Sequence, residues 1–184
     1  MALDPHRDDL VVGVVGTGAM GRGIMQVAAQ GGMRVVAYDE KSGAGEAAQQ
    51  QIAQTLAGLV EKGRLAKADA DAAIDRIATA DGLAQIASAD VIIEAIIERL
   101  DVKQELFATL DELAGPDTII ASNTSSLPIT AIAARCQRPE RIAGMHFFNP
   151  VPLMKLVEVI PGLKTAQWVV EALTVVGRRM TRVP

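Results

Sequence analysis

Short apolar runs of strand length alternate along this chain with longer stretches of helical spacing. Residues 10–15 form one such run, ending at Gly16, the pattern of a strand buried on both faces. Residues 18–30 switch to helical spacing, and Gly31-Gly32 ends that helix, because glycine tolerates the backbone of a helix terminus. Residues 34–39, Arg-Val-Val-Ala-Tyr-Asp, read as a second strand. A βαβ unit is thus complete by Asp39.

Residues 42–61 and 68–77 are rich in helix formers and are separated by Lys62-Gly63-Arg64, which predicts a helical hairpin. A brief strand over 76–79, a firm one over 89–97, a helix over 102–114 and a strand over 118–122 follow. This alternation predicts an α/β fold with a mostly parallel, doubly wound sheet and an inserted helical hairpin. Beyond Ser122 the rhythm changes to a short helix over 129–134, strands over 141–148 and 156–160, a helix over 165–176 and a fragment over 180–183. The two late strands, joined through Asn-Pro-Val-Pro, are expected to be antiparallel. Pro184 falls at what reads as the start of another strand, so one domain over 1–184, cut short, is the expectation; residues 1–10 read as a frayed terminus.

Composition narrows the function classes. The 184 residues are 49% hydrophobic and 22% charged with a net charge of -4, an ordinary globular profile of one-domain size. Aromatic residues make up 3% and no basic run is extended, which argues against nucleic acid as a partner. No apolar stretch approaches the roughly 20 residues of a spanning helix, and the acidic start is unlike a secretory signal, so no membrane association is expected. The single cysteine, Cys136, reads as a small core residue in a reducing cytoplasm. No metal site is expected.

Gly16-Thr-Gly18-Ala19-Met20-Gly21 matches G-x-G-x-x-G. The pattern alone is weak, but here it follows a buried strand and opens a helix. That context gives the glycines their uses: a tight turn, close approach of a pyrophosphate, and helix-to-strand packing, with the helix N-terminus facing the anion. Asp39 lies 18 positions past the last glycine, at the end of the second strand, where a carboxylate can accept from a ribose 2′-hydroxyl. This favours NAD, although Lys41 leaves NADP open.

His6 belongs to the terminus, which leaves His146 as the histidine available for chemistry. Glu158 follows 12 positions later within an otherwise apolar run. If the two late strands pair, Glu158 can face His146, fix its tautomer and support an imidazolium, as a general base for an alcohol requires. A structural histidine beside an exposed glutamate is the plainer alternative.

Four blocks in order, Gly16–Gly21, Ile93-Glu-Ala-Ile-Ile-Glu98, Ser122-Asn-Thr-Ser-Ser-Leu127 and His146-Phe-Phe-Asn-Pro-Val-Pro152 with Lys155-Leu-Val-Glu158, closely resemble the L-3-hydroxyacyl-CoA dehydrogenases. The resemblance covers nearly the whole chain and corresponds to that family's NAD-binding, Rossmann-type domain. It implies that His146 takes the 3-hydroxyl proton, that Glu158 orients it, and that Ser125 bonds the substrate oxygen and the cofactor. It also places Gly16, Gly18, Ala19, Met20, Gly21, Asp39, Ile96, Ile97, Glu98, Lys103, Asn123, Ser125 and Asn149 at cofactor-contacting positions. From their own local sequence, Glu98 and Lys103 read as a solvated helix start, and Asn123–Ser126 as a turn or cap.

Members of that family continue into an all-helical domain that supplies most of a homodimer interface and covers the acyl chain. That C-terminal helical domain is absent from this sequence. The implied substrate is an acyl-CoA, and Lys62, Arg64 and Lys67 at the hairpin tip could attract CoA phosphates, a solvated surface being the simpler reading. Two competing readings are a dehydrogenase of a free hydroxy acid or sugar acid, and a non-catalytic NAD-binding protein.

Overall fold

In the computed structural model, which describes residues 3–180, one sheet organises the chain. In chain order its strands are β1 (Val11–Val15), β2 (Arg34–Tyr38), β3 (Ile77–Thr79), β4 (Val91–Glu94), β5 (Ile119–Ser122), β6 (Ile142–Phe147) and β7 (Val157–Pro161). Their spatial order is β3-β2-β1-β4-β5-β6-β7, with every pair parallel except β6–β7. The order reverses between β1 and β4, which opens a crevice at the carboxyl ends of those strands, where α/β sheets bind ligands.

The helices are α1 (Ala19–Gln30), α2 (Ala44–Glu61), α3 (Lys67–Asp75), α4 (Leu83–Ile86), α5 (Leu100–Leu113), α6 (Ile129–Ile132) and α7 (Gln167–Arg179). They cover both faces, as the continuous apolar strands require. On one face α1, the α2–α3 hairpin and α7 bury Ile24, Ile52, Leu56, Ala73 and Leu173 against Val12 and Val14. On the other, α4, α5 and α6 bury Ile86, Phe107, Leu110 and Ile132 against Ile92 and Ile120. The doubly wound sheet, the inserted hairpin and the antiparallel C-terminal strands therefore agree with the sequence reading.

Several boundaries differ, for identifiable reasons. The strand expected over 89–97 stops at Glu94, because the Glu94 carboxylate captures the Ile96 N–H at 2.7 Å and turns the chain out of the ladder. Ile97 is consequently 60% exposed in the following loop. The short helix α4 is additional to the sequence reading, and the helix expected over 129–134 is α6 continued by a 3₁₀ turn at Ala133–Arg135.

The frayed terminus is also corrected for its described part. Leu10 is fully buried, Arg7 pairs with Asp90 at 3.0 Å, and the Arg179 guanidinium donates to the carbonyls of Pro5 and Arg7 at 2.8 Å each. The segment is held by polar contacts to distant residues that local sequence does not reveal. Of the fragment expected over 180–183, residues 181–183 lie outside the described residues.

Candidate active site at the carboxyl end of the sheet

The glycine turn leaves β1 through Gly16 at φ +90°, a conformation that side chains rarely adopt. A Cβ there would stand 2.7 Å from the Ala95 carbonyl oxygen. At Gly21 a Cβ would lie 1.7 Å from the Gly16 oxygen, so α1 docks on its own turn only without a side chain. Gly18 differs: nothing lies within 4 Å of a Cβ built on it. That open space sits at the N-cap of α1, which has no side-chain cap, and Ala19, Met20 and Gly21 occupy the first turn, ahead of any intrahelical acceptor. Open space and free N–H groups at a positive helix end suit a pyrophosphate.

Beside this turn, a cleft of about 490 Å³ is lined by Gly16, Gly18, Tyr38, Asp39, Ile96 and Ile97 among others. Asp39 also clamps the glycine turn. Its Oδ2 accepts from Thr17 N at 2.7 Å and Thr17 Oγ1 at 3.0 Å, and its Oδ1 from Lys41 N at 3.0 Å. Burial pushes the Asp39 carboxyl up, but the hydrogen bonds from Thr17 and Lys41, with the Lys41 charge, outweigh it and hold it below the usual carboxylate range. Glu40, beside Asp39, lines the same cleft, so two carboxylates meet whatever reaches the ribose end. The Lys41 charge acts on Asp39, and the two carboxylates at this end of the cleft disfavour a 2′-phosphate.

Lys103 departs from the solvated helix start that its local sequence implies, whereas Glu98 remains exposed but is engaged by several donors. Lys103 lies on the buried stripe of α5 with Phe107 and Leu110, its side chain 1% exposed. Its Nζ pairs with Glu94 at 2.5 Å and Glu98 at 3.4 Å. Lys103 thus sits beneath Glu98 rather than on the open surface of the cleft. Glu98 accepts from Thr124 Oγ1 at 2.5 Å, Ser125 N at 3.1 Å and Ser126 Oγ at 3.2 Å. Burial raises its carboxyl, and the Thr124 hydroxyl, the Lys103 charge and the Ser125 N–H bring it below the ordinary range.

Asn123 and Ser125 follow β5 directly. Asn123 donates its N–H to the Glu94 carbonyl at 2.8 Å and accepts the Phe147 N–H on Oδ1 at 2.8 Å, joining the ends of β4, β5 and β6. Ser125 is exposed, as is Asn149 in the turn after β6.

On the last strand pair, His146 and Glu158 are direct cross-strand partners, and His146 Nδ1 lies 2.8 Å from Glu158 Oε2. The imidazole also leans on Phe148, ring centroids 4.6 Å apart. With Nδ1 engaged by a carboxylate, Nε2 is the nitrogen left to exchange a proton. The cross-strand pairing that the sequence reading required is present, and Glu158 is half exposed, as the plainer alternative of a structural histidine beside an exposed glutamate also has it. The structure brings together the glycine turn, Asp39 and Ile96–Glu98 on the cleft side, and Asn123, Ser125, His146 and Asn149 at the ends of β5 and β6.

The sequence matches the family described as "3-hydroxyacyl-CoA dehydrogenase, NAD binding domain" over residues 11–184. The chain belongs to this family. NAD is therefore its cofactor, and the open space over Gly18 together with the Asp39–Glu40 rim fits that group. Among similar proteins, a probable 3-hydroxybutyryl-CoA dehydrogenase of Bacillus subtilis is 49% identical over 154 residues, 84% of this chain and 54% of that protein. The 3-hydroxyadipyl-CoA dehydrogenase of Escherichia coli is 47% identical over 162 residues, 88% of this chain and 34% of that protein. A crystal structure of a 3-hydroxybutyryl-CoA dehydrogenase from Escherichia coli superposes with a TM-score of 0.93 at 44% identity, covering 96% of this chain and 37% of that one. The chain of this NAD-binding-domain family member thus spans about half or less of the length of these relatives.

Sequence reasoning missed Glu94, Thr17, Thr124 and Ser126. Lys103, which the family resemblance had named, also carried a signal of its burial, four positions before Phe107 on a helical stripe.

Proposed function

We propose that this chain carries the cofactor site and the proton-transfer pair of an NAD-dependent 3-hydroxyacyl-CoA dehydrogenase, interconverting an L-3-hydroxyacyl-CoA and the 3-ketoacyl-CoA. The observation that carries the reading is the His146–Glu158 contact at 2.8 Å, at the same end of the sheet as the glycine turn. NAD, when bound, supplies the hydride acceptor for C3. His146 Nε2 accepts the 3-hydroxyl proton in oxidation and returns it in reduction. Glu158 keeps Nδ1 as the donor and stabilises the positive charge that the ring gains. The exposed Ser125 hydroxyl donates to the substrate oxygen, while Asn123 and Asn149 border the nicotinamide side.

Substrate class rests on the relatives, whose names refer to CoA esters. The hairpin-tip cations give little further support: Lys67 is already paired with Asp71. A homodimer in a longer protein and a cytoplasmic location belong to the same proposal. Among the described residues, no helix is long and apolar enough to cross a membrane and no cluster fit to hold a metal is present.

The test offers NADH with a 3-ketoacyl-CoA or with the corresponding free 3-keto acid. Consumption of NADH with the CoA ester and little with the free acid is expected. Equal rates would favour a free-acid dehydrogenase, and binding of NADH with no turnover of either would favour a non-catalytic role.

A further inference from the structure

Glu94 is the last residue of β4, in register with Val15 of β1 on one side and Ser122 of β5 on the other. It therefore stands where the sheet order reverses. Its side chain is 0% exposed, an expensive place for a charge unless every oxygen is engaged. Both oxygens are. Oε1 accepts from Lys103 Nζ at 2.5 Å and from Ile96 N at 2.7 Å, and Oε2 accepts from Ser122 Oγ at 2.6 Å.

These contacts close into a ring. Ser122 Oγ also accepts the Thr124 N–H at 3.2 Å. The Thr124 hydroxyl donates to Glu98 and accepts the N–H groups of Ser126 and Leu127. Glu98 returns through Lys103 to Glu94. The ring ties the loop of Ile96, Ile97 and Glu98, on the cofactor cleft, to the loop of Thr124, Ser125 and Ser126, on the substrate side.

A buried ion pair is a weak device for stability, since well-packed apolar residues generally serve as well or better. Its directionality is what apolar side chains cannot supply. We infer that Glu94 is a positioning residue, which through Lys103, Ser122 and Ile96 N–H holds the cofactor loop and the Ser125 loop in one fixed arrangement. The substrate half of this inference rests on the dehydrogenase reading proposed above, whereas the cofactor half does not.

The test separates positioning from folding. Glu94→Leu combined with Lys103→Met removes both charges together and leaves an apolar pair in their place. The double variant is expected to unfold within a few degrees of the unsubstituted chain, yet to bind NADH at least about tenfold more weakly, read from the fluorescence of bound NADH. Reduction of a 3-ketoacyl-CoA at saturating NADH should also fall at least about tenfold, a loss in kcat that restored stability does not repair. A folded double variant that binds NADH within twofold of the unsubstituted chain would overturn the inference.

If the double variant does not fold, Ser122→Ala decides, because it opens the ring by one hydroxyl and keeps the strand backbone. It should weaken NADH binding severalfold, and unchanged binding would overturn the inference. Failure of the unsubstituted chain to reduce any 3-ketoacyl-CoA would count against the dehydrogenase reading and leave the NADH comparison intact.

Discussion

His146 Nδ1 and Glu158 Oε2 meet at 2.8 Å across the antiparallel β6–β7 pair, with the histidine side chain 17% exposed and the glutamate 50% exposed. The carboxylate approaches from the solvent side while the ring packs toward Phe148, so Glu158 can hold the ring without being buried. Glu158→Gln offers Nδ1 either a donor or an acceptor and no longer fixes the tautomer. Turnover should fall about 100-fold, within the usual worth of a positioned acid–base group. NADH affinity, measured by fluorescence titration, should stay within about twofold.

The glycine turn separates binding from folding. A methyl group at Gly18 meets nothing within 4 Å, so Gly18→Ala should keep the thermal midpoint and weaken NADH binding by about tenfold or more. At Gly21 the same methyl would press on the Gly16 oxygen, so Gly21→Ala should lower the midpoint sharply. Thermal unfolding with and without NADH checks both.

Asp39 faces the cleft beside Glu40 and also braces Thr17. Asp39→Ala should weaken NAD binding and narrow the preference for NAD over NADP, as competitive titration would show. Its carboxyl lies below the ordinary range in the folded chain, so its stabilising contacts are intact above that range and are lost as pH falls through the depressed value. NAD affinity should accordingly be flat near neutrality.

Asp111 and Arg141 form a second buried pair, Oδ1 to Nη2 at 2.7 Å, with exposures of 2% and 1%. Burial raises the Asp111 carboxyl, and hydrogen bonds from Arg141, Gln137 and Arg138, with the Arg141 charge, bring it below the usual range. This stability is complete above the unfolded value and disappears as pH drops through the folded one. Asp111→Asn leaves the guanidinium uncompensated and should cost about 3–5 kcal/mol at neutral pH. Urea unfolding across pH should show the acid-side loss shrinking in the variant.

The fold class and the chemistry of the site were legible in the sequence to different degrees. Continuous apolar strands, the glycine turn and Asp39 are local patterns, and the structure places them as expected. The His146–Glu158 pair depended on a register, which the odd carboxylate in the run 156–160 hinted at. Glu94 could not be read: in sequence it is one acid inside the strand expected over 89–97, and its partners come from α5 and β5. Lys103 and Asp111 both sit on the buried face of α5, where charge contradicts the apolar stripe until distant partners are known. The hold on residues 3–10 escaped for the same reason, since Asp90 and Arg179 are far along the chain.

The most direct test of the central claim is a single-turnover measurement with the chain in excess over NADH, mixed with a 3-ketoacyl-CoA and followed by loss of NADH absorbance. The unsubstituted chain should oxidise the bound NADH. His146→Ala should bind NADH equally well and react at least about 100-fold more slowly. Equal rates in the two proteins would contradict the assignment of His146 as the proton-transfer residue.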